Sequence, residues 1–238
     1  MNLPARPFRE TSPIRLRIGK AARLGGCLMA GLLLAGCATP EKHSSQSKSA
    51  GRPQNVFLDT KVLPASLRRV AVLPLACEES AAALSDSCDT LRPGLMEELL
   101  RTRKFEVVSV NPEILRRRTG RADWTGAETL PVDFFSLLQR QYGCDAVFFC
   151  QLTTFRAYAP LTIGWRMKLV DARTQQIIWA ADEVFDTKQP AVGVGAWLVE
   201  QGRQMVAVEF TDEWAVLNSP TRFGRYSASQ LLATLPER

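Results

Sequence analysis

The sequence predicts an α/β domain, a mixed β-sheet with helices packed on it, and three observations predict this. Short β-branched apolar runs such as RRVAVLPL (residues 68–75) and FEVVSV (residues 105–110) recur along the chain. Segments with leucine at helical spacing separate them. Two alternating segments then face each other across a short polar turn. Strands separated by helices favour parallel pairing through crossovers, whereas a hairpin is antiparallel, so the sheet contains both senses.

The elements follow in order. Arg68 to Leu75 reads as a strand covered on both faces, and Pro74 limits it. CEESAAALSDSC (residues 77–88) reads as a loop, after which Leu91, Leu95 and Leu99, with Met96 and Leu100, form an apolar helix stripe. Asp89 suits the N-cap of that helix, with Pro93 in the first turn, where backbone N–H groups have no partner. FEVVSV is the second strand, and Asn111-Pro112 opens a short helix as N-cap and N1. Pro131 begins another helix, with Phe134, Phe135, Leu137 and Leu138 inward and Gly143 as its stop.

DAVFFCQLTTF (residues 145–155) is the next strand. Leu161, Ile163, Trp165, Met167 and Leu169 alternate with Thr162, Gly164, Arg166 and Lys168, the period of a half-exposed strand, and QIIWAADEVF (residues 176–185) returns after DARTQ to make a hairpin. Beyond it AVGVGAWLV (residues 191–199) reads as a flexible helix entry, and Val194, Leu198, Met205 and Val208 keep helical spacing. Ser227 and Gln230 have the spacing of a capping box ahead of Leu231, Leu232 and Leu235. Trp165, Trp179, Trp197 and Trp214 lie within these elements and are expected in the core.

The first 55 residues are of another kind. Arg6, Arg9, Arg15, Arg17, Lys20 and Arg23 stand against a single Glu10, and residues 24–36 then carry no charge. Those 13 residues are too few to span a bilayer, which takes about 20 in a helix, so the segment reads as a signal peptide. Its end, Leu34-Ala35-Gly36-Cys37, resembles the lipobox of bacterial lipoproteins, which implies cleavage between Gly36 and Cys37 and lipidation of Cys37, with palmitate among its acyl chains. Cys27 lacks a leucine three residues before it and goes with the signal. Several acyl chains give stable anchoring at about 0.8 kcal/mol per buried CH₂. Ala38 stands where an aspartate would mark inner-membrane retention in many such proteins, so the resemblance implies the outer membrane, periplasmic face.

Residues 38–55 contain no large apolar side chain and hold the only histidine, His43. They cannot bury enough surface to offset their ordering entropy and read as a disordered tether. As a flexible coil, about 18 residues span roughly 20 to 25 Å. The chain therefore divides into a signal peptide (residues 1–36), a lipidated N-terminus and tether (37–55) and a periplasmic α/β domain (56–238).

The charge balance excludes some functions. Residues 1–36 hold six of the 30 Lys and Arg and one of the 24 Asp and Glu, which leaves 24 against 23 in the rest. A nucleic-acid partner needs a net basic face, so none is expected. With no histidine after His43, a Ser or Cys nucleophile lacks its usual base, and with no CxxC a zinc site lacks its ligands. Asp182 and Glu183 are neighbours on a strand and point to opposite faces, so they cannot act as a carboxylate pair. The domain is expected to be no enzyme and to hold no cofactor or metal.

The order RRVAVLPL, amphipathic helix, FEVVSV, helices, CDAVFFCQLTTF and then KLVDARTQQIIWAAD resembles periplasmic lipoproteins related to the penicillin-binding-protein activators and the curli-secretion lipoprotein, and more distantly the TolB N-terminal domain. It covers about residues 68–186. The resemblance implies an anticodon-binding-domain-like fold and a non-enzymatic role, docking onto an envelope-assembly or cell-wall-synthesis protein. An oligomeric secretion or surface-assembly subunit is the alternative. Curli-secretion relatives carry long amphipathic insertions that form a barrel; AVGVGAWLV is the nearest stretch here and is too short for a hairpin.

Two sets of residues complete the expectations. Trp124, in the polar loop TGRADWTGAET, and Tyr158, in the turn FRAYAPL, read as exposed aromatics that either anchor a partner or fold back over a core edge. Arg116, Arg117, Arg118 and Arg121 form the basic cluster, either a solvated helix end or a contact for an acidic partner or lipid headgroups. In an oxidising compartment Cys77 and Cys88 are expected to form a disulfide. Cys144 and Cys150 on one strand would lie roughly 20 Å apart, too far to pair.

Overall fold

Alternation builds the centre of the molecule. In a computed structural model, which describes residues 53–77, 82–204 and 215–238, β5 (Ala146–Arg156), β6 (Thr162–Asp171) and β7 (Ile177–Asp186) form an antiparallel meander. Gly36, Cys37, His43, Met205, Val208 and Trp214 lie outside the described residues, as does the side chain of Trp197. Ile163, Trp165, Met167 and Leu169 all point to one core, as their period-two spacing requires. Trp165 and Trp179 are fully buried there.

β2 (Arg69–Val72) lies beside β5, in parallel, and β4 (Glu106–Ser109) lies beside β2, also in parallel. At the opposite edge β1 (Val56–Leu58) pairs antiparallel with β7. The order is β1-β7-β6-β5-β2-β4. Pro74 has no N–H to give, and beyond it the run resumes as β3 (Ala76–Cys77), which pairs with β5.

Each face has its own core. On one, α1 (Ala82–Arg101) crosses from β2 towards β4, and α6 (Pro220–Leu232) packs beside it, burying Leu91, Leu95, Leu99, Phe223 and Leu231. On the other, α2 (Pro112–Thr119) and α3 (Phe134–Tyr142) cross from β4 to β5 over Leu115, Phe134, Phe135 and Leu138. Asn111 caps α2, its side chain accepting from the amides of Glu113 and Ile114, while Gly143 ends α3 at φ 59°. Two further helices, α4 (Pro190–Gln204) and α5 (Ala215–Asn218), stand near α6.

Three local expectations are corrected. Residues from Ala82 onwards are helix rather than loop, so Asp89 is no N-cap and Pro93 sits inside α1; AAALSDS carries enough alanine to begin the helix early. AVGVGAWLV is the body of α4, which begins at Pro190. Within α4 Val192 and Ala196 are buried, whereas Val194 and Leu198 face outwards at 56 % exposure each. Ser227 opens no helix: Ser219-Pro220 does, and Ser227 is buried mid-helix, accepting from the Trp165 indole N–H at 2.8 Å.

Candidate binding surfaces

The stretch after α2 has few large apolar residues, yet it folds inward. Trp124 is 8 % exposed. Its ring meets Phe134 edge-on at 5.7 Å, its N–H donates to the Thr119 hydroxyl at 2.8 Å, and the Arg121 guanidinium lies 4.9 Å from the ring centroid. Glu128 binds the stretch together, pairing with Arg121 and accepting from the Thr125 hydroxyl at 2.6 Å and its amide at 3.1 Å. Burial raises the Glu128 pKa, but the Thr125 bonds and the Arg121 charge outweigh it and hold the carboxyl below its usual 4.5. Lys168 of β6 donates to the Gly126 carbonyl and seals the loop against the sheet. Of the two readings open for Trp124, the structure has the second: the indole folds back over a core edge and is no exposed anchor.

Tyr158 is the opposite case, 82 % exposed at the β5–β6 turn. That turn is held firmly, with Arg156 donating to the Pro160 carbonyl at 2.6 Å and pairing with Asp186 at 3.6 Å, and the Thr187 amide donating to the Leu161 carbonyl at 3.0 Å. Trp124 and Tyr158 do not share a surface. Lys168, bonded beside Trp124, is six residues along β6 from Thr162, roughly 20 Å from the turn. Arg116, Arg117 and Arg118 are exposed on the last turn of α2, where Arg116 pairs with Glu113 at 3.2 Å. Arg121 is turned inward by Trp124 and Glu128.

Cys77 and Cys88 are joined as a disulfide, with Cα atoms 6.5 Å apart, tying the end of β3 to α1. Cys144 and Cys150 are buried free thiols. Burial pushes them up to about 11 and about 12 respectively, so neither is a nucleophile near neutral pH. Asp182 pairs with Arg166 at 2.7 Å, while Glu183 accepts from the amides of Gln54 and Asn55 at 2.7 and 3.3 Å; the two carboxylates serve separate contacts. No group of three metal-binding side chains occurs among the described residues.

One cavity follows from topology. Because the chain leaves β2 over one face and β4 over the other, a crevice opens outside their carboxyl ends, where open α/β sheets hold ligands. It encloses about 70 Å³ between Leu73, Pro74, Leu95, Met96, Val110 and Arg92. The guanidinium of Arg92 pairs with Asp89 at 3.1 Å, so the space is small and mainly apolar. Sequence reasoning did not single out this crevice, since its lining comes from three separate segments.

A mixed-sheet α/β module with helices on both faces is the class these features define. No protein-family model matches the chain, and no curated protein matches it. Similar solved structures include the PelC dodecamer from Paraburkholderia phytofirmans, with 13% identity, 77% of this chain and 97% of that one covered, and a TM-score of 0.45. Lipoprotein GNA1162 from Neisseria meningitidis is 17% identical, with 60% and 99% covered and a TM-score of 0.34. The LpoB C-terminal domain from Escherichia coli is also 17% identical, with 49% and 81% covered and a TM-score of 0.32. At these identities and scores the likeness assigns neither activity nor partner.

Proposed function

We propose that the chain is an outer-membrane lipoprotein, cut between Gly36 and Cys37 and anchored through lipid on Cys37, whose domain (residues 56–238) serves as a non-enzymatic docking module for an envelope-assembly or cell-wall-synthesis protein on the periplasmic face. The observation that carries it is the unbroken order of basic segment, 13 uncharged residues, Leu34-Ala35-Gly36-Cys37 and polar tether, running into the edge strand β1. The Cys77–Cys88 disulfide supports an oxidising compartment. With Trp124 inside the fold, the partner-facing surface falls to the exposed arginines of α2, Arg116 to Arg118, which suit an acidic partner.

Mass spectrometry of the mature N-terminus tests the anchor: an acylated Cys37 is expected, and an unmodified Cys37 or cleavage elsewhere overturns it. A photo-crosslinking residue in place of Arg117, in intact envelopes, tests the docking. Adducts to a different envelope protein are expected. Adducts only between copies of this chain would replace the docking reading with the self-assembling one.

A further inference from the structure

The proposed anchor places a lipid at the far end of the tether, and the fold decides which part of the domain meets the membrane first. β1 runs antiparallel to β7, with Val56 opposite Ala181 and Leu58 opposite Trp179. Residues 53–55 therefore lie beside Asp182 and Glu183, so the described chain begins on the side of β7 that ends at Asp186. The turn carrying Tyr158 is at that same end, since Thr162 pairs with Asp186. So is the start of α4, four residues past Asp186. The first described residues, Tyr158 and the beginning of α4 thus belong to one end of the sheet.

What α4 presents there is apolar on both sides. Val192 and Ala196 go into the core, while Val194 and Leu198, one turn apart on another face, are each 56 % exposed. No charge occurs from Gln189 to Val199; Lys188 and Glu200 flank the run. The first part of α4 thus carries an outward apolar ridge besides its core face, and such a ridge can be buried shallowly at the headgroup–acyl boundary of a bilayer. An exposed tyrosine at the same end of the sheet suits the headgroup level, where its ring is amphipathic. With about 18 residues between the proposed lipid and β1, this end would stay within reach of the bilayer at an effective concentration of the order of millimolar, so a shallow contact suffices.

The geometry points to a second membrane contact, resting on the lipoprotein reading: the ridge of Val194 and Leu198 on α4, with Tyr158 at the same end of the sheet, seats the domain on the leaflet that holds its own lipid anchor. The occupant of this surface is the lipid bilayer rather than a protein.

The test uses the full mature lipoprotein in vesicles of phosphatidylethanolamine and phosphatidylglycerol, with a nitroxide on Leu198→Cys and, separately, on Leu100→Cys, an exposed position at the C-terminal end of α1. Buried Cys144 and Cys150 and the bonded Cys77 and Cys88 stay unlabelled. On adding vesicles, collisions of the 198 label with oxygen should rise several-fold and those with a water-soluble nickel chelate fall several-fold, while the 100 label stays aqueous. A 198 label that stays aqueous on vesicle-bound protein overturns the contact and leaves the anchor standing. A 198 label shielded from both reagents with or without vesicles also overturns it, in favour of a protein on the ridge. Protein that does not float with vesicles and carries no acyl mass overturns the lipoprotein reading instead.

Discussion

Truncating Trp124 to alanine removes an indole wedged between Thr119, Arg121 and Phe134, and the space cannot close without moving α3. We expect a loss of about 3 to 5 kcal/mol in denaturant unfolding, the range for a buried aromatic; a change below about 1 kcal/mol would contradict the packing described. Glu128 has a pH signature. Its folded-state pKa is depressed below 4.5, so the stability it adds is present above the unfolded-state value and is lost as pH falls through the folded one. Unfolding free energies of the native chain and of Glu128→Gln should therefore differ near neutral pH and converge as pH falls through the depressed folded-state value. Curves that stay parallel across that window would rule the role out. The sequence left both aromatics open between exposure and folding back, because TGRADWTGAET looks solvated until Glu128 is seen to bond two segments of it. Packing separates them, with Trp124 inside and Tyr158 outside.

At the scale of elements, the strands and the capped helices were read most easily. Alternation over residues 161–169 specifies which side chains go inward, and Asn111-Pro112 and Gly143 specify where α2 begins and α3 ends. The errors arose where one signal had two meanings. Pro93 marks a first turn more often than a helix interior, and here the alanines before it extend α1 by more than two turns. The missing Pro93 N–H leaves an interior gap in the helix ladder, and the disulfide from Cys88 to Cys77 holds that early part of the helix to β3. In the chain-entropy picture such a closure contributes about 3 kcal/mol. The faces of α4 were not legible for a different reason. Val192, Val194, Ala196 and Leu198 are equally apolar, so periodicity cannot say which pair is inside; only packing on β7 and α6 decides. That ambiguity is itself the sequence trace of a helix with apolar surfaces on two sides.

For the molecule as a whole, the mixed sheet and its two covered faces followed from the alternation of strands and helices, but β1 did not. VFL is too short to stand out, and only its place against β7 makes it a strand. That strand is also where a membrane-held chain would be pulled. Drag on the domain, or a partner moving away, would draw residues 53–55 along the axis of β1 and load its few hydrogen bonds to β7 together, in shear, rather than peeling them singly. Behind them lies a second latch: Lys61 and Leu63 exchange backbone bonds with Glu237, Arg238 donates to the Leu67 carbonyl, and Lys104 donates to the carbonyls of Leu235 and Pro236 at 2.7 and 2.9 Å. Optical-trap pulling from the N-terminus should show a short first extension as β1 yields, before global rupture; a single rupture with no such step would mean that the two latches fail as one. The fold would then act as a mechanical fuse, giving up a three-residue strand under tension while its hydrophobic cores stay closed.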